Sequence, residues 1–323
     1  MDPTDRLRRV LARAALFGCV LMAAIIVTSA FLRLKSIGIG CDEWPQCYAR
    51  VVVATPAAQS VLTPVAIARL LHRVSAMAVA LLAAFVLMLT LARAARNATN
   101  LVLSVGLCLL TVVLAVVGRQ TAGSVVPLVG LVNLAGGFAM LTMFWLLWLR
   151  NRPAASGTGA GPGRTALVYA ACALIAVQAA IGALVSVSYS AFACEGLLGC
   201  GTGLSAVPAA LTGFDPAQPL ALDSANRVQA PPGAAELQLL HRITGLALAG
   251  ALVLLGAWLA RFSARRKLGI CLVAAASAEL GLGIAMVLGE FPLSAALLHN
   301  FAAASLLVVC VSIAAAAHAG MSS

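Results

Sequence analysis

The sequence predicts an all-α polytopic membrane protein with eight transmembrane helices arranged as two pseudo-symmetric four-helix bundles. Three observations carry that reading. The 323 residues are 62% hydrophobic and only 10% charged, with a mean hydropathy of +1.03, whereas soluble domains are about 45–50% apolar and about 25% charged. Eight apolar runs each reach the roughly 20 residues that a bilayer demands. The second half of the chain also repeats landmarks of the first. This composition excludes a set of soluble domains, a disordered or collagen-like chain, and a nucleic-acid-binding protein.

The runs fall at 11–31, 65–91, 100–118, 126–149, 166–190, 235–260, 268–288 and 294–317. The first follows Arg6, Arg8, Arg9 and Arg13, as a signal peptide would. It lacks a clean small-residue cleavage site and is long enough to span, so a retained helix is expected. Basic residues then set the orientation. One side collects Arg6, Arg8, Arg9, Arg13, Arg93, Arg96, Arg150, Arg152, Arg164, Arg261, Arg265, Arg266 and Lys267; the other has Arg33, Lys35, Arg50, Arg119 and Arg227. The positive-inside rule puts both termini in the cytoplasm, with the protein in the cell's inner (cytoplasmic) membrane. Segments 32–64 and 191–234 become long outer loops. The Gly/Ala/Pro-rich stretch 151–165 becomes a flexible cytoplasmic linker between an N-terminal unit, 1–150, and a C-terminal unit, 166–323.

The repeat is explicit. The first outer loop reads Cys41-Asp-Glu-Trp-Pro-Gln-Cys47 and the second Cys194-Glu-Gly-Leu-Leu-Gly-Cys200. Each leads into a span that opens Leu-Leu-His-Arg, at Leu70–Arg73 and Leu239–Arg242. Four spans separate the two copies, so they run the same way: a parallel repeat of a four-helix unit. The eighth span starts Phe291-Pro292-Leu293 and reaches His299. The fourth starts Val126-Pro127-Leu128 and reaches Asn133, where symmetry would place a histidine.

There are four histidines. His318, near the cytoplasmic end, reads as a surface residue. His72, His241 and His299 lie in or at the mouths of spans near the outer face, where an ionisable residue is costly and marks function by default. One use for them is hydrogen bonding between helices. The other is axial ligation. Two imidazoles facing each other across a four-helix bundle can both bind one haem iron, and His241 and His299 enter their spans at similar depth. Arg73 and Arg242 follow two of the histidines; they pair with haem propionates or snorkel to lipid phosphates. Zinc fits less well, because no acids or cysteines cluster at that depth.

Cys41, Cys47, Cys194 and Cys200 lie on the outer side, where disulfides persist, and a C-x5-C spacing can close a small loop. Each pair reads either as a brace shaping the loop over its bundle or as a redox-active pair. Cys19, Cys108, Cys172, Cys271 and Cys310 sit in spans and read as small packing residues.

The segment Gly40-Cys41-Asp42-Glu43-Trp44-Pro45-Gln46-Cys47 resembles the Gly-Cys-Pro-Asp-Trp-Pro-x-Cys loop of the haem A synthase family. Leu32-Arg33-Leu34 is similar to that family's Val-Arg-Leu marker. Val185–Cys194 resembles its Val-Ser-Ser-Asn-Tyr-Ala-Ala-Leu-Ala-Cys, and Leu298-His299-Asn300 its eighth-span histidine. The resemblance covers nearly the whole chain. It implies eight helices in two bundles and oxidation of a methyl group of haem O to the formyl group of haem A. It implies a cofactor haem b held by His241 and His299. Substrate haem O would sit in the first bundle, with His72 on its iron.

Two departures fall in that first bundle. The family's Glu-x-x-His has Arg69 in place of the glutamate, and Asn133 replaces the histidine of the fourth span. Glu43 or Asp42 in the outer loop is the candidate replacement for the missing acid. Asn133, a poor iron ligand, could still hydrogen-bond a bound water. Two functions stay open: an active synthase with an altered site, and a diverged haem b-binding paralogue that transfers electrons or handles haem. A transporter is a third class, but no discontinuous helix is evident and Glu279 is the single acid well inside a span. Expected partners are membrane lipid and haem O, the latter delivered by a haem O synthase. The sequence leaves the electron acceptor and the oligomeric state open.

Overall fold

The computed structural model describes residues 3–41, 43–50, 63–92, 97–120, 124–152, 162–197, 199–201 and 203–319. Asp42, Arg93, Arg96 and residues 153–161 of the expected linker lie outside them. Among the described residues nine α-helices follow in order: α1 (Pro3–Ser36), α2 (Pro64–Leu91), α3 (Ala98–Gln120), α4 (Pro127–Asn151), α5 (Pro162–Val187), α6 (Val207–Gly213), α7 (Ala234–Ala260), α8 (Arg266–Leu288) and α9 (Leu293–Ala319). All but the short α6 are long and apolar enough to cross a membrane. The described residues contain no β-strand beyond three isolated bridges in the outer loops. This is a polytopic all-α membrane fold, the solution that lipid forces because each helix satisfies its own backbone.

Local sequence sets the helix starts. Thr63 caps α2, its hydroxyl accepting from the Ala66 N–H at 3.2 Å, and Pro64 stands in the first turn. Pro127 opens α4 in the same way. Gly233, with φ at 86°, turns the chain into α7.

The spans pack as two rings. In one, α1 meets α2 and α4, and α3 meets α2 and α4. In the other, α5 meets α7 and α9, and α8 meets α7 and α9. Thus α2 is diagonal to α4, and α7 to α9. The rings join through α1 and α4 against α5 and α9. Phe144, Leu147, Leu11, Leu252, Leu272 and Ile313 form part of the shared dry core. A polar tie crosses the join between α4 and α9, from Trp145 Nε1 to Ser312 Oγ at 2.8 Å.

The outer loops depart from the expectation that each covers its own bundle. The Cys41–Cys47 segment lies over the start of α9. Trp44 Nε1 donates to the Glu290 carbonyl at 2.9 Å, and Trp44 and Tyr48 pack on Phe192, which packs on Phe291. Tyr48 accepts a hydrogen bond from the Ala191 N–H at 3.3 Å, and burial pushes the pKa of its phenol up. Conversely, the second loop reaches the start of α4. Leu128 N–H donates to the Pro216 carbonyl at 2.8 Å, and Leu220 N–H to Val125 at 3.0 Å. The loops meet where the Val228 N–H donates to Ala49 at 2.8 Å. The rings share one apolar cluster with Leu34, Ile37 and Ile39 on one side of the join and Ala296 and Leu293 on the other, which holds the first loop across it.

Candidate functional site

His241 and His299 each sit about two turns into diagonal helices, near the N-terminal ends of α7 and α9. Their ring centroids are 6.5 Å apart and the rings are nearly perpendicular, at 85°. An iron bound by two imidazole nitrogens at about 2 Å each would set the ring centres roughly 6 Å apart. The pair therefore has the spacing of two axial ligands on one metal.

The surroundings fit that use. A Cβ on Gly182 of α5 would fall 2.7 Å from His241 Cε1, and one on Gly283 of α8 would fall 3.5 Å from His299 Cε1. Each ring lies against bare backbone. Polar side chains meet the Nδ1 edges. Gln178 Nε2 is 3.0 Å from His241 Nδ1 and donates to the His241 carbonyl at 2.8 Å, while Thr244 Oγ1 donates to Gln178 Oε1 at 2.7 Å. Glu279 Oε1 is 3.3 Å from His299 Nδ1. Neither Nε2 makes a hydrogen bond among the described residues.

Basic groups with unsatisfied nitrogens lie at the loop end of the helices. Arg242 Nη1 donates to the carbonyls of Gly196 at 2.6 Å and Leu197 at 2.9 Å, leaving Nε and Nη2 buried without partners. Arg33, in the last turn of α1, reaches across the join to Asn300 Oδ1 at 3.5 Å, and its Nη1 is buried without a partner. Arg227 Nε is unpartnered too. Such orphaned donors fit the carboxylates of a porphyrin. In the sequence Arg33 counts as one of the basic residues that set the orientation and as part of the Leu32-Arg33-Leu34 segment. The available signal was a guanidinium within the apolar first helix, beside the residues that become the join.

The first bundle differs. His72 is half-buried on α2, Arg69 and Arg73 are exposed on either side of it, and its ring makes no hydrogen bond among the described residues. Asn133, on the diagonal helix α4, donates to Ser29 Oγ of α1 at 3.3 Å. Glu43 is exposed on the outer loop, where it pairs with Arg50 at 3.8 Å. The sulfurs of Cys41 and Cys47 lie together, as do those of Cys194 and Cys200, with Cα–Cα distances of 6.6 and 4.1 Å. Within the spans, Cys172 of α5 and Cys310 of α9 also meet sulfur to sulfur at 3.0 Å.

Residues 12–311 match the COX15-CtaA family, described as cytochrome oxidase assembly protein. The chain belongs to that family. It is also 28% identical over 304 residues to the heme A synthase of Shewanella oneidensis, covering 90% of this chain and 91% of that relative. Family membership and eight apolar helices make it a multi-pass membrane protein.

Proposed function

We propose that this protein is a haem A synthase-like oxidoreductase, which oxidises a methyl group of haem O to a formyl group for the haem A of terminal oxidases. The observation that carries the reading is the 6.5 Å pairing of His241 with His299 on diagonal helices. The family membership and the heme A synthase relative support the reaction class.

In this reading His241 and His299 hold a haem b, which when bound supplies one-electron redox chemistry. The chain does the rest. Gly182 and Gly283 make room for the imidazoles. Arg242 and Arg33 offer free guanidinium nitrogens to propionates at the outer mouth. In the first bundle His72 binds the substrate's iron, Arg73 meets its propionates, and Asn133 stands opposite to orient a water. Glu43 is the acid nearest the expected role, although its present partner is Arg50. The Cys41–Cys47 and Cys194–Cys200 pairs are disulfide braces facing the outer side of the inner membrane, with both termini cytoplasmic. Haem O arrives from a haem O synthase through the lipid phase.

A second reading is a haem b-binding membrane protein without synthase activity. One observation favours it: Asn133 spends its amide on Ser29, in the bundle where Arg69 replaces the expected glutamate. Co-expression with a haem O producer, followed by pigment extraction and chromatography, separates the two. Haem A above background is the expected result. A purified protein that carries bis-histidine haem but yields no haem A overturns the synthase reading in favour of the second.

A further inference from the structure

Two helices of the C-terminal ring carry the same device in different chemistry. On α5, Gln178 and Gly182 are four residues apart and share a face. On α8, Glu279 and Gly283 have the same spacing. In each pair the polar side chain meets a histidine's Nδ1 and the glycine admits the same imidazole: Gln178 and Gly182 serve His241, Glu279 and Gly283 serve His299. The polar residue thus backs the ring edge opposite the metal-binding nitrogen.

We propose that Gln178 and Glu279 are positioning residues for the two axial histidines, and that their difference, amide against carboxylate, sets the potential of the haem held there. This rests on the cofactor reading above. A histidine that binds metal through Nε2 carries its proton on Nδ1 and donates it to an outer partner, which fixes the ring and raises its basicity. Glu279 Oε1 lies 3.3 Å from that nitrogen, without hydrogen-bond geometry in this structure, and a small turn of the ring or the carboxylate lets it accept that proton. Its second oxygen, Oε2, is buried with no partner, so the carboxylate has no competing hydrogen bond among the described residues. A carboxylate acceptor makes His299 the more electron-donating ligand and stabilises the oxidised iron.

Gln178 is a weaker, neutral partner. As placed, its amide nitrogen faces Nδ1. With the proton on Nδ1 the amide turns over, giving up its bond to the His241 carbonyl, so that its oxygen accepts from the ring. The amide nitrogen then meets Thr244 Oγ1, which can accept because its own proton has the Leu240 carbonyl at 2.6 Å. Thr244 therefore supports either amide orientation, and His241 gains orientation with little added charge.

The test is a redox titration of the purified full-length protein with its bound haem, monitored by absorption. Glu279→Gln should raise the midpoint potential, and Gln178→Glu should lower it. Gln178→Leu and Glu279→Leu should weaken haem retention about 10–100-fold. A purely structural role would alter retention without moving the two potentials in opposite directions. The proposal is overturned if both isosteric variants keep a bis-histidine spectrum and the wild-type potential, or shift it with the same sign. If the wild-type protein binds no haem through His241 and His299, the cofactor reading itself fails and takes this proposal with it. The spectrum of the unmutated protein separates the two failures.

Discussion

Gly182 of α5 stands so close to His241 of α7 that any side chain at 182 must displace the imidazole, since a Cβ would lie 2.7 Å from Cε1. The equivalent approach on the other side, Gly283 to His299, is an ordinary contact at 3.5 Å. The two glycines therefore respond differently to the same change. Gly182→Ala should cost about 1–3 kcal/mol of overpacking and strip haem from the purified protein. Gly283→Ala should leave haem content near wild type. Pigment-to-protein ratios and thermal unfolding in detergent check both.

Removing a ligand is a sharper intervention. His241→Ala and His299→Ala should each abolish the bis-imidazole spectrum while the protein still inserts. His72→Ala should leave that spectrum unchanged, because His72 lies on α2 in the other ring. A bis-histidine spectrum that survives either of the first two substitutions removes these residues from the iron.

The altered first bundle can be taken back toward the expected pattern. Arg69→Glu with Asn133→His restores an acid three residues before His72 and an imidazole on the diagonal helix. The double variant should take up a second low-spin haem. It should also raise haem A output in the co-expression assay above that of the unmodified chain. The Asn133–Ser29 hydrogen bond is lost in the exchange, at a cost of about 0.5–1.5 kcal/mol.

The roof over the site makes its own prediction. Trp44→Phe keeps the aromatic packing on Phe192 but deletes the indole bond to the Glu290 carbonyl. Stability should fall by about 0.5–1.5 kcal/mol, read as a lowered unfolding temperature in detergent. Arg242→Ala loses two charge-assisted bonds to Gly196 and Leu197 and should cost more, about 1.5–3 kcal/mol.

Thiol labelling tests the outer pairs. A membrane-impermeant maleimide should reach Cys41, Cys47, Cys194 and Cys200 from the outer side only after reduction. Labelling without reductant would show free thiols there, and labelling from the cytoplasmic side would reverse the orientation.

The eight spans were legible because each is a continuous apolar run, and a run long enough to cross lipid has one structural answer. The pairing of His241 with His299 was legible from their matching depth beneath Leu-Leu-His-Arg and Phe-Pro-Leu openings. The groups behind those rings were not. Gln178 and Glu279 are isolated polar residues in apolar helices, and which imidazole each meets depends on how α5 and α8 rotate against their neighbours. Arg33 was hidden for the same reason: its partner, Asn300, is 267 positions away. The crossing of the loops depends on contacts between the halves that no local pattern encodes. Cys172 and Cys310, read as separate small packing residues, share one contact because α5 and α9 bring them to the same level.

That crossing has a consequence for how the molecule is built. Each loop binds the other half as well as its own, the first at the start of α9 and the second at the start of α4, so each half separated from the other loses part of its cover. A gene cut within residues 153–161 should yield two fragments that are unstable when expressed singly and rescue one another when expressed together.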